Sequence, residues 1–387
     1  MDLSLFFNSL EESLWATLED PQSLFQNIKV HYNGFPEWQE ADIAFIGLLE
    51  HRGTLTNKGV EEAAIAIRKP LYRLKKGTGT YKIVDLGDLR NGVTLKETYL
   101  RLKEVCEHLL DHQVIPVIIG GSHDLMLGQF WAYQHLDRII SIANVDAYLN
   151  LTDHDQGGMN QHHLLKILTH YPNYLFNLSQ IGLQTYLNSK PSLEVLEKLY
   201  FNVYAIGEIR EDFNEIEPAV READLLAIDL TALKMADAPA NIYAGPFGLT
   251  GEELCQICWY AGLSDTNSSV GIYEYNPRLD VGYKTAKVIA IALWYFIEGY
   301  YHRLHQQDFK STAFTKYVAN VSATDHQAYD IVFYKQIATD KWWMEVPYPE
   351  SNMQAFPCII PCSYRDYQNA VNGEVPNRWL NTHAKLI

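Results

Sequence analysis

The sequence predicts an α/β protein of three layers, in which a mostly parallel central sheet lies between helices. Short apolar runs alternate with segments of helical periodicity, a pattern typical of βαβ units. The runs that predict buried strands are residues 42–49, 81–87, 114–121, 139–147, 202–207, 224–230 and 269–276. After about residue 310 this alternation stops, which predicts a C-terminal β-rich extension.

Two segments carry the clearest helical pattern. Residues 95–112 (LKETYLRLKEVCEHLLDH) follow the second predicted strand, and residues 285–304 are expected to close the α/β unit. We therefore place one domain at residues 1–310 and an extension, packed on that domain, at residues 311–387. The extension has short aromatic runs punctuated by proline, with no obvious helix between them; these runs are residues 329–335, 340–349 and 356–367.

The composition excludes several functional classes. A net charge of −16 over 387 residues disfavours nonspecific nucleic-acid binding, because phosphates attract clustered Lys and Arg. No apolar stretch is long enough to span a bilayer. The first 15 residues mix acids with apolar residues, which predicts an amphipathic helix instead of a signal peptide.

The five cysteines form an odd set without a disulfide framework, which indicates a reducing compartment and hence a cytoplasmic protein. Cys255 and Cys258 form a C-x-x-C pair, and a zinc site with Cys358 and Cys362 is one interpretation. The helical periodicity around Cys255 favours the other interpretation, in which these cysteines are free and buried.

Polar side chains close four of the predicted strands. They are His123, Asp146, Asp229 and Glu274. Because ligands bind beyond the carboxyl ends of parallel strands, we expect these residues, together with Asn150, to converge in one cleft. The alternatives are a hydrogen-bonded loop histidine, two aspartates that cap the segments after their strands, and a glutamate in a turn.

Four motifs in order resemble the ureohydrolases, which include arginase, agmatinase and formimidoylglutamase, the last being the most similar. The motifs are GGSHD at 120–124, DAYLN at 146–150, IDLT at 228–231 and EYNPRLD at 274–280. The resemblance extends from about residue 42 to residue 303 and does not include the extension. It implies the arginase fold.

In that family, two manganese ions share a bridging hydroxide that attacks a guanidino or amidino carbon. The resemblance places the first ion at His123, Asp146, Asn150 and Asp229. The second ion would need a histidine and an aspartate where this chain has Tyr148 and Thr231, and Asn150 also replaces an aspartate. Four carboxylates have become two, so a pair of divalent ions would repel each other strongly. We expect one divalent ion, with Mn²⁺ the best match to these ligands, or none.

The resemblance also suggests which residues act on a substrate. Glu274 matches the acid that holds the guanidinium group in arginase, and Asp146 belongs to the shared metal site. His163 lies seventeen positions after Asp146, where arginases have a histidine that assists proton transfer. We expect the Tyr148 ring to fill the space of the second ion, with its hydroxyl bonded to Asp146 or Asp229.

Two functions of different classes follow from these observations. In the first, the chain has little ordinary guanidino or amidino hydrolysis and a binding or scaffold role, with residues 311–387 facing a protein partner. In the second, it is a C–N hydrolase of a linear amidine or guanidine that uses one metal at His123, Asp146 and Asp229. The Trp342–Trp343 pair is expected to serve packing, and a homo-oligomer is compatible with both functions.

Overall fold

The computed structural model describes residues 2–136, 138–151, 157–305, 308–322, 328–348 and 357–386. The strands are β1 Phe7–Asn8, β2 Lys29–Val30, β3 Ile43–Leu48, β4 Ile83–Leu89, β5 Ile115–Ile119, β6 Ile140–Val145, β7 Leu175–Leu183, β8 Asn202–Ala205, β9 Leu225–Asp229, β10 Ser269–Tyr273, β11 Phe314–Ser322, β12 Ala328–Gln336, β13 Trp342–Val346 and β14 Cys358–Cys362. The α-helices are α1 Ala63–Leu71, α2 Leu95–Asp111, α3 Met126–Ala132, α4 His163–Leu168, α5 Lys190–Lys198, α6 Ile206–Glu211, α7 Glu217–Glu222, α8 Gly251–Leu263, α9 Lys284–Tyr301, α10 Tyr364–Val371 and α11 Asn377–Leu386.

The first ten strands form one sheet in the order β1-β4-β3-β5-β10-β9-β6-β7-β8, with β2 beside β4. Its pairings are parallel except that of β1 with β4. Each of the seven predicted runs contains a strand of this sheet. Strand β7 was not predicted, and it lies between β6 and β8.

Helices cover both faces of this sheet, so the predicted three-layer α/β architecture is confirmed. One apolar core joins β3, β5 and β10 to α1, α8 and α9. The other core lies on the opposite face, where α2, α3 and α4 pack. Strand residues alternate between the two cores; in β3, for example, Phe45 contributes to the first and Ile46 to the second.

The amphipathic helix expected at the N-terminus is a wrong prediction. Residues 3–6 and 12–14 form short 3-10 turns, and β1 lies between them. Leu3 and Phe7 are buried, but Phe7 and Asn8 pair with the end of β4. The backbone of Phe7 and Asn8 therefore forms hydrogen bonds with β4 at this end of the sheet and not the hydrogen bonds of a helix.

The C-terminal β-rich extension is present as an antiparallel sheet in the order β11-β12-β13-β14. Trp342, Met344 and Val346 enter its own apolar core, which α10 and α11 cover. These two helices were not predicted. Ser363, inside the run expected to be a strand, instead caps α10 by accepting a hydrogen bond from the Asp366 backbone nitrogen at 3.1 Å. Residues 349–356 lie outside the described residues. They include the last residue of the predicted run 340–349 and the first residue of the predicted run 356–367.

No α-helix within the described ranges has the length and apolar character that a membrane crossing requires. The C-x-x-C pair lies on α8, as its periodicity predicted, and all five cysteines are free thiols in the structure.

Candidate functional site

The four residues that close predicted strands come from four neighbouring strands at the centre of the sheet, β5, β10, β9 and β6. The His123 Nδ1 atom lies 3.1 Å from Asp229 Oδ2 and 3.3 Å from Asp146 Oδ2. The His123 backbone nitrogen donates to Glu274 Oε1 at 3.1 Å. All four side chains are buried. The structure therefore brings them into one cluster at the carboxyl ends of the strands.

A two-glycine turn aims the chain after β5 into this cluster. Gly120 and Gly121 have φ angles of 91° and 77°, which a residue with a Cβ adopts only with strain. Glu274 follows β10 with a φ angle of 63°, an unfavourable value for a glutamate. Surrounding hydrogen bonds must hold it there, since such backbone strain persists only when neighbouring structure enforces it.

Three asparagines supply those bonds to Glu274. Asn57 Nδ2 donates to the carboxylate at 2.8 Å and to the Glu274 carbonyl at 3.0 Å. Asn160 donates to the carboxylate at 3.1 Å, and Asn241 to the carbonyl at 2.8 Å. These asparagines were not predicted from the sequence. Asn57 and Asn241 lie in loops and Asn160 in a single 3-10 turn, all away from the motifs and the strand ends, so no pattern marks them.

The Asp146 carboxylate accepts three hydrogen bonds from the protein and lies beside His123. Its Oδ1 atom accepts from the Tyr148 backbone nitrogen at 2.8 Å and from the Thr231 hydroxyl at 2.9 Å. Its Oδ2 atom accepts from the Asn150 amide at 2.7 Å and lies beside His123. A carboxylate has about four acceptor positions, so three are taken by these donors and the fourth faces His123.

Burial and like charge shape the protonation of this cluster. Burial and the charge of Asp229 raise the pKa values of the Asp146 and Glu274 carboxyls. Burial opposes a charge on His123, but hydrogen bonds to Asp146 and Asp229 outweigh it and raise the pKa of His123 to about 10. A proton on His123 Nδ1 therefore balances part of the negative charge of the two aspartates.

The His163 ring packs against the His123 ring. The two ring centroids are 4.2 Å apart, and His163 Nδ1 lies 2.8 Å from the Asn160 carbonyl oxygen. His163 is fully buried, and burial together with the charge of His123 lowers its pKa well below the usual range. It is not among the described residues that line the neighbouring cavity. A direct proton transfer to a molecule in that cavity has no support from this position.

The Tyr148 hydroxyl differs from the expectation, whereas the expected filling of the second-ion space by its ring stays a prediction. Its ring is half-buried at the cavity wall and meets the Tyr243 ring edge-on at 6.4 Å. Within the described residues its hydroxyl makes no hydrogen bond to Asp146 or Asp229; Thr231 and Asn150 donate to Asp146 instead. The side chains of Thr231 and Asn150 are shorter than that of Tyr148, and their polar groups reach the Asp146 carboxylate directly.

The donor atoms of the cluster have the spacing that a single metal ion requires. His123, Asp146 and Asp229 each offer one ligand atom, and these atoms lie within 4.8 Å of one another. Nitrogen and oxygen ligands bind a divalent ion at about 2.0–2.2 Å, so adjacent ligand atoms of one ion lie about 3 Å apart. The distances of 3.1 and 3.3 Å from His123 Nδ1 fit that requirement. These three residues therefore suit one ion.

A cavity of about 520 Å³ opens beside the cluster. Its described lining residues are Tyr148, Leu149, Asn150, Leu151, Asn160, Gln161, Leu187, Asn188, Ser189, Ser192, Asp229, Thr231, Tyr243 and Glu274. Residues 152–156, which follow the lining residue Leu151 in the sequence, lie outside the described residues. The cavity size suits a small molecule, and Asp229 and Glu274 present carboxylates to it.

Comparisons with known proteins agree with this fold and place the chain in a family. The chain is 24% identical over 315 residues to a formimidoylglutamase of Geobacillus sp. (strain WCH70), covering 76% of this chain and 95% of the relative. The formimidoylglutamase structure from Bacillus subtilis superposes with a TM-score of 0.67 at 20% identity, covering 76% of this chain and 97% of that one. Trypanosoma cruzi formiminoglutamase with Mn²⁺ gives 0.64 at 20% identity, with coverage of 69% and 96%. The arginase family model matches residues 41–298, and the chain belongs to the arginase family.

Proposed function

We propose that this chain binds a small amidinium or guanidinium compound at a centre that holds at most one divalent ion, and that ordinary hydrolysis of such compounds is weak or absent. One observation carries the proposal. The Thr231 hydroxyl and the Tyr148 backbone nitrogen donate to Asp146 Oδ1, where a bridging carboxylate would need a free oxygen for a second ion.

The first ion site would consist of His123, Asp146 and Asp229, with Asn150 nearby. Mn²⁺ is the best candidate, because carboxylate and imidazole ligands suit it and the related Trypanosoma cruzi structure contains it. A bound divalent ion lowers the pKa of a water ligand and polarises an electrophile. Glu274 would accept N–H bonds from the ligand cation, held in place by Asn57 and Asn160.

The second candidate function is hydrolysis of a C–N bond of a linear amidine or guanidine with one ion. The close spacing of His123, Asp146 and Asp229 favours it, since their three ligand atoms lie within 4.8 Å of one another, as one ion would require. Asp146 and Glu274 would then contact metal and substrate. The position of His163 argues against its use as the proton carrier of this reaction.

Metal content and product release together separate the two functions. The full chain would be incubated with Mn²⁺, desalted and analysed for metal, then assayed for release of ammonia, urea or formamide. We expect at most one Mn²⁺ per chain and product release near the level of the Asp229→Asn variant. Sustained release by the wild-type chain that Asp229→Asn abolishes would favour the hydrolase.

The matched control is Asp340→Asn, which removes an exposed carboxylate of the extension and should bind the same metal as the wild type. Two tightly held Mn²⁺ ions per wild-type chain would overturn the proposal. Binding of the guanidinium ion, followed by calorimetry, should be lost in Glu274→Gln. If no guanidinium binding occurs in the wild type, the proposed ligand class is wrong.

A further inference from the structure

Another cavity, of about 210 Å³, lies at the junction of the main domain and the extension. The main domain contributes Arg221 and residues 263–266 to its wall, and the extension contributes Thr339 and Lys341 from the turn between β12 and β13. None of its described lining residues lines the cavity beside the cluster. Since a water molecule has a volume of about 30 Å³ in the liquid, this cavity can hold a small ion and several waters.

Arg221 has an unused donor at this junction, although only 5% of the residue is exposed. Its Nε atom donates to Glu217 Oε1 at 2.8 Å, and its Nη2 atom donates to Glu217 Oε2 at 3.2 Å and to the Trp342 carbonyl at 2.9 Å. The Nη1 atom is buried and has no hydrogen-bond partner within the described part of the chain. A buried guanidinium donor without an acceptor is costly, so this wall suits a ligand that supplies one.

Lys341 adds a second cation to the same wall. Only 18% of its side chain is exposed, and its ammonium lies 3.6 Å from Glu217 Oε1, the oxygen that also accepts from Arg221. Burial lowers the pKa of Lys341; the charge of Glu217 opposes this effect, and that of Arg221 adds to it. The two cations therefore share one carboxylate, which cannot neutralise both.

The charges around the cavity do not cancel. Asp265 is the one carboxylate among the described lining residues, and its Oδ1 atom lies 3.2 Å from His305 Nδ1. Burial lowers the pKa of Arg303 to about 10, and the charge of Asp265 opposes this effect. With the histidines counted as neutral, one positive charge is left over from the cations Arg221, Lys341 and Arg303 and the carboxylates Glu217 and Asp265. An anion in the cavity therefore meets a net attraction.

The neutral groups of the wall add hydrogen-bond donors. The Thr339 hydroxyl donates to the Gln336 side-chain oxygen, which leaves the Gln336 amide N–H bonds for another acceptor. Gln336 is buried and lines the cavity. The Arg221 guanidinium lies over the Trp343 ring at 4.2 Å, which fixes its plane. Donors held in place by the protein suit a ligand whose outer atoms are acceptors.

We infer that this cavity binds a small oxyanion, a carboxylate or a phosphate group, between Arg221 of the main domain and Lys341 of the extension. Hydrogen bonds from a guanidinium and an ammonium to such a group are charge-assisted and strong. Because the two cations belong to different parts of the chain, the bound anion stabilises the contact between these parts. The inference is independent of the proposed function, since no residue of the metal cluster takes part. The competing explanation is a cavity that holds only ordered water.

Calorimetry on the full chain, without added Mn²⁺, would use sodium acetate and inorganic phosphate as probes and sodium chloride at equal ionic strength as the reference. We expect at least one of the two oxyanions to bind at one site per chain with a Kd of about 1 mM or lower. The probe that binds more tightly identifies the group. If neither oxyanion gives saturable binding up to about 50 mM, the cavity holds water only and the inference is wrong.

Two variants with opposite expected effects assign the binding to this cavity. Lys341→Met removes a cation and keeps a side chain of similar length, so the oxyanion should bind about tenfold more weakly. Asp265→Asn removes a repelling carboxylate, so it should bind about threefold more tightly, a gain that general loss of structure cannot produce. Lys316→Met, at an exposed position of β11, is the control and should bind as the wild type does. Unchanged affinity in both Lys341→Met and Asp265→Asn would show that the oxyanion binds elsewhere and would overturn the inference.

Discussion

The hydrogen bonds of Asp146 are the residue-scale basis for proposing a centre with at most one ion. A buried carboxylate is costly unless a cation or hydrogen-bond donors surround it. Here the surrounding groups are a hydroxyl, an amide, a backbone N–H and an imidazole, contributed by Thr231, Asn150, Tyr148 and His123. Thr231 and Asn150 therefore compensate the buried carboxylate with hydrogen bonds and add no charge of their own.

The triple change Tyr148→His, Asn150→Asp and Thr231→Asp tests whether the residues at these three positions are what limits the proposed centre to at most one ion. It adds two carboxylates and an imidazole and frees an oxygen of Asp146, so a second Mn²⁺ site should appear. Each single change should have little effect, because these ligands act as a unit. Manganese titration by calorimetry of the variant and the parent chain measures the number of sites.

The control for this experiment is Tyr148→Gln, Asn150→Gln and Thr231→Asn, which alters the same positions without adding carboxylate or imidazole. It should bind no more Mn²⁺ than the parent. If the triple change to metal ligands also adds no site, the surroundings of the centre have been rebuilt and the loss of ligands is not the whole explanation.

At the scale of residues, the sequence predicted the site residues that lie at the ends of strands. His123, Asp146 and Glu274 follow buried parallel strands, so their positions follow from the sheet. Asn57 and Asn241, which hold Glu274, lie in irregular loops. Contacts between such loops depend on the whole fold, and local periodicity contains no information about them.

At the scale of elements, strand β7 shows where a prediction from apolar runs fails. Its sequence, LFNLSQIGL, is interrupted by polar residues that are buried in the structure. Gln180 accepts from Asn144 at 2.8 Å and donates to the Asp146 carbonyl at 2.8 Å, which supports the segment after β6. A strand that carries buried polar contacts does not have the continuous apolar pattern expected of a central parallel strand.

The packing of α8 against α9 depends on glycines at the crossing. A Cβ atom at Gly262 would lie 2.3 Å from the Phe296 carbonyl oxygen, and one at Gly299 would lie 2.7 Å from the Trp259 carbonyl oxygen. We expect Gly262→Ala to lower the free energy of unfolding by about 1–3 kcal/mol, because the helices must move apart. Urea denaturation followed by circular dichroism measures this change.

Gly207→Ala is the matched control. Gly207 lies in α6 and has open space where a Cβ would be placed, so alanine should leave stability unchanged or raise it by up to about 1 kcal/mol. A Gly262→Ala variant as stable as the wild type would mean that α8 and α9 adjust without cost, contrary to the close approach of their backbones.

At the scale of the whole molecule, two buried guanidinium groups join the main domain to the extension, and each part contributes one of them. Arg221 on α7 donates to the Trp342 carbonyl at 2.9 Å and lies over the Trp343 ring at 4.2 Å. Arg378 on α11 donates to the Tyr204 hydroxyl of β8 at 3.1 Å. The extension thereby contacts the edge strand β8 of the main sheet. That residues 311–387 also face a protein partner stays a prediction.

Lys385 lies at the same junction. Its ammonium donates to Asn177 Oδ1 at 2.7 Å and lies over the Phe176 and Phe201 rings at 5.3 and 5.7 Å. Burial lowers the pKa of Lys385 to about 8, although the charge of Glu222 acts in the opposite direction. The unfolded chain holds this proton up to about pH 10, so between about pH 8 and 10 the unfolded state binds more protons. Stability from this group therefore rises with pH in that window.

Lys385→Met should remove this pH dependence, because methionine fills the apolar space without an ionisable group. Relative to the variant, the wild-type free energy of unfolding should increase by on the order of 2 kcal/mol between about pH 8 and 10, since part of the cost of burying the charge disappears. Paired urea denaturation at several pH values measures the difference, in which the titration of shared groups cancels. Lys310→Met, at an exposed position, is the control and should show a flat difference. If the difference in free energy of unfolding between the wild type and Lys385→Met is also independent of pH, the Lys385 ammonium remains hydrated in the folded chain. In that case Arg378 and apolar contacts hold α11 on the main domain, and no charge is buried at the C-terminal end of this helix.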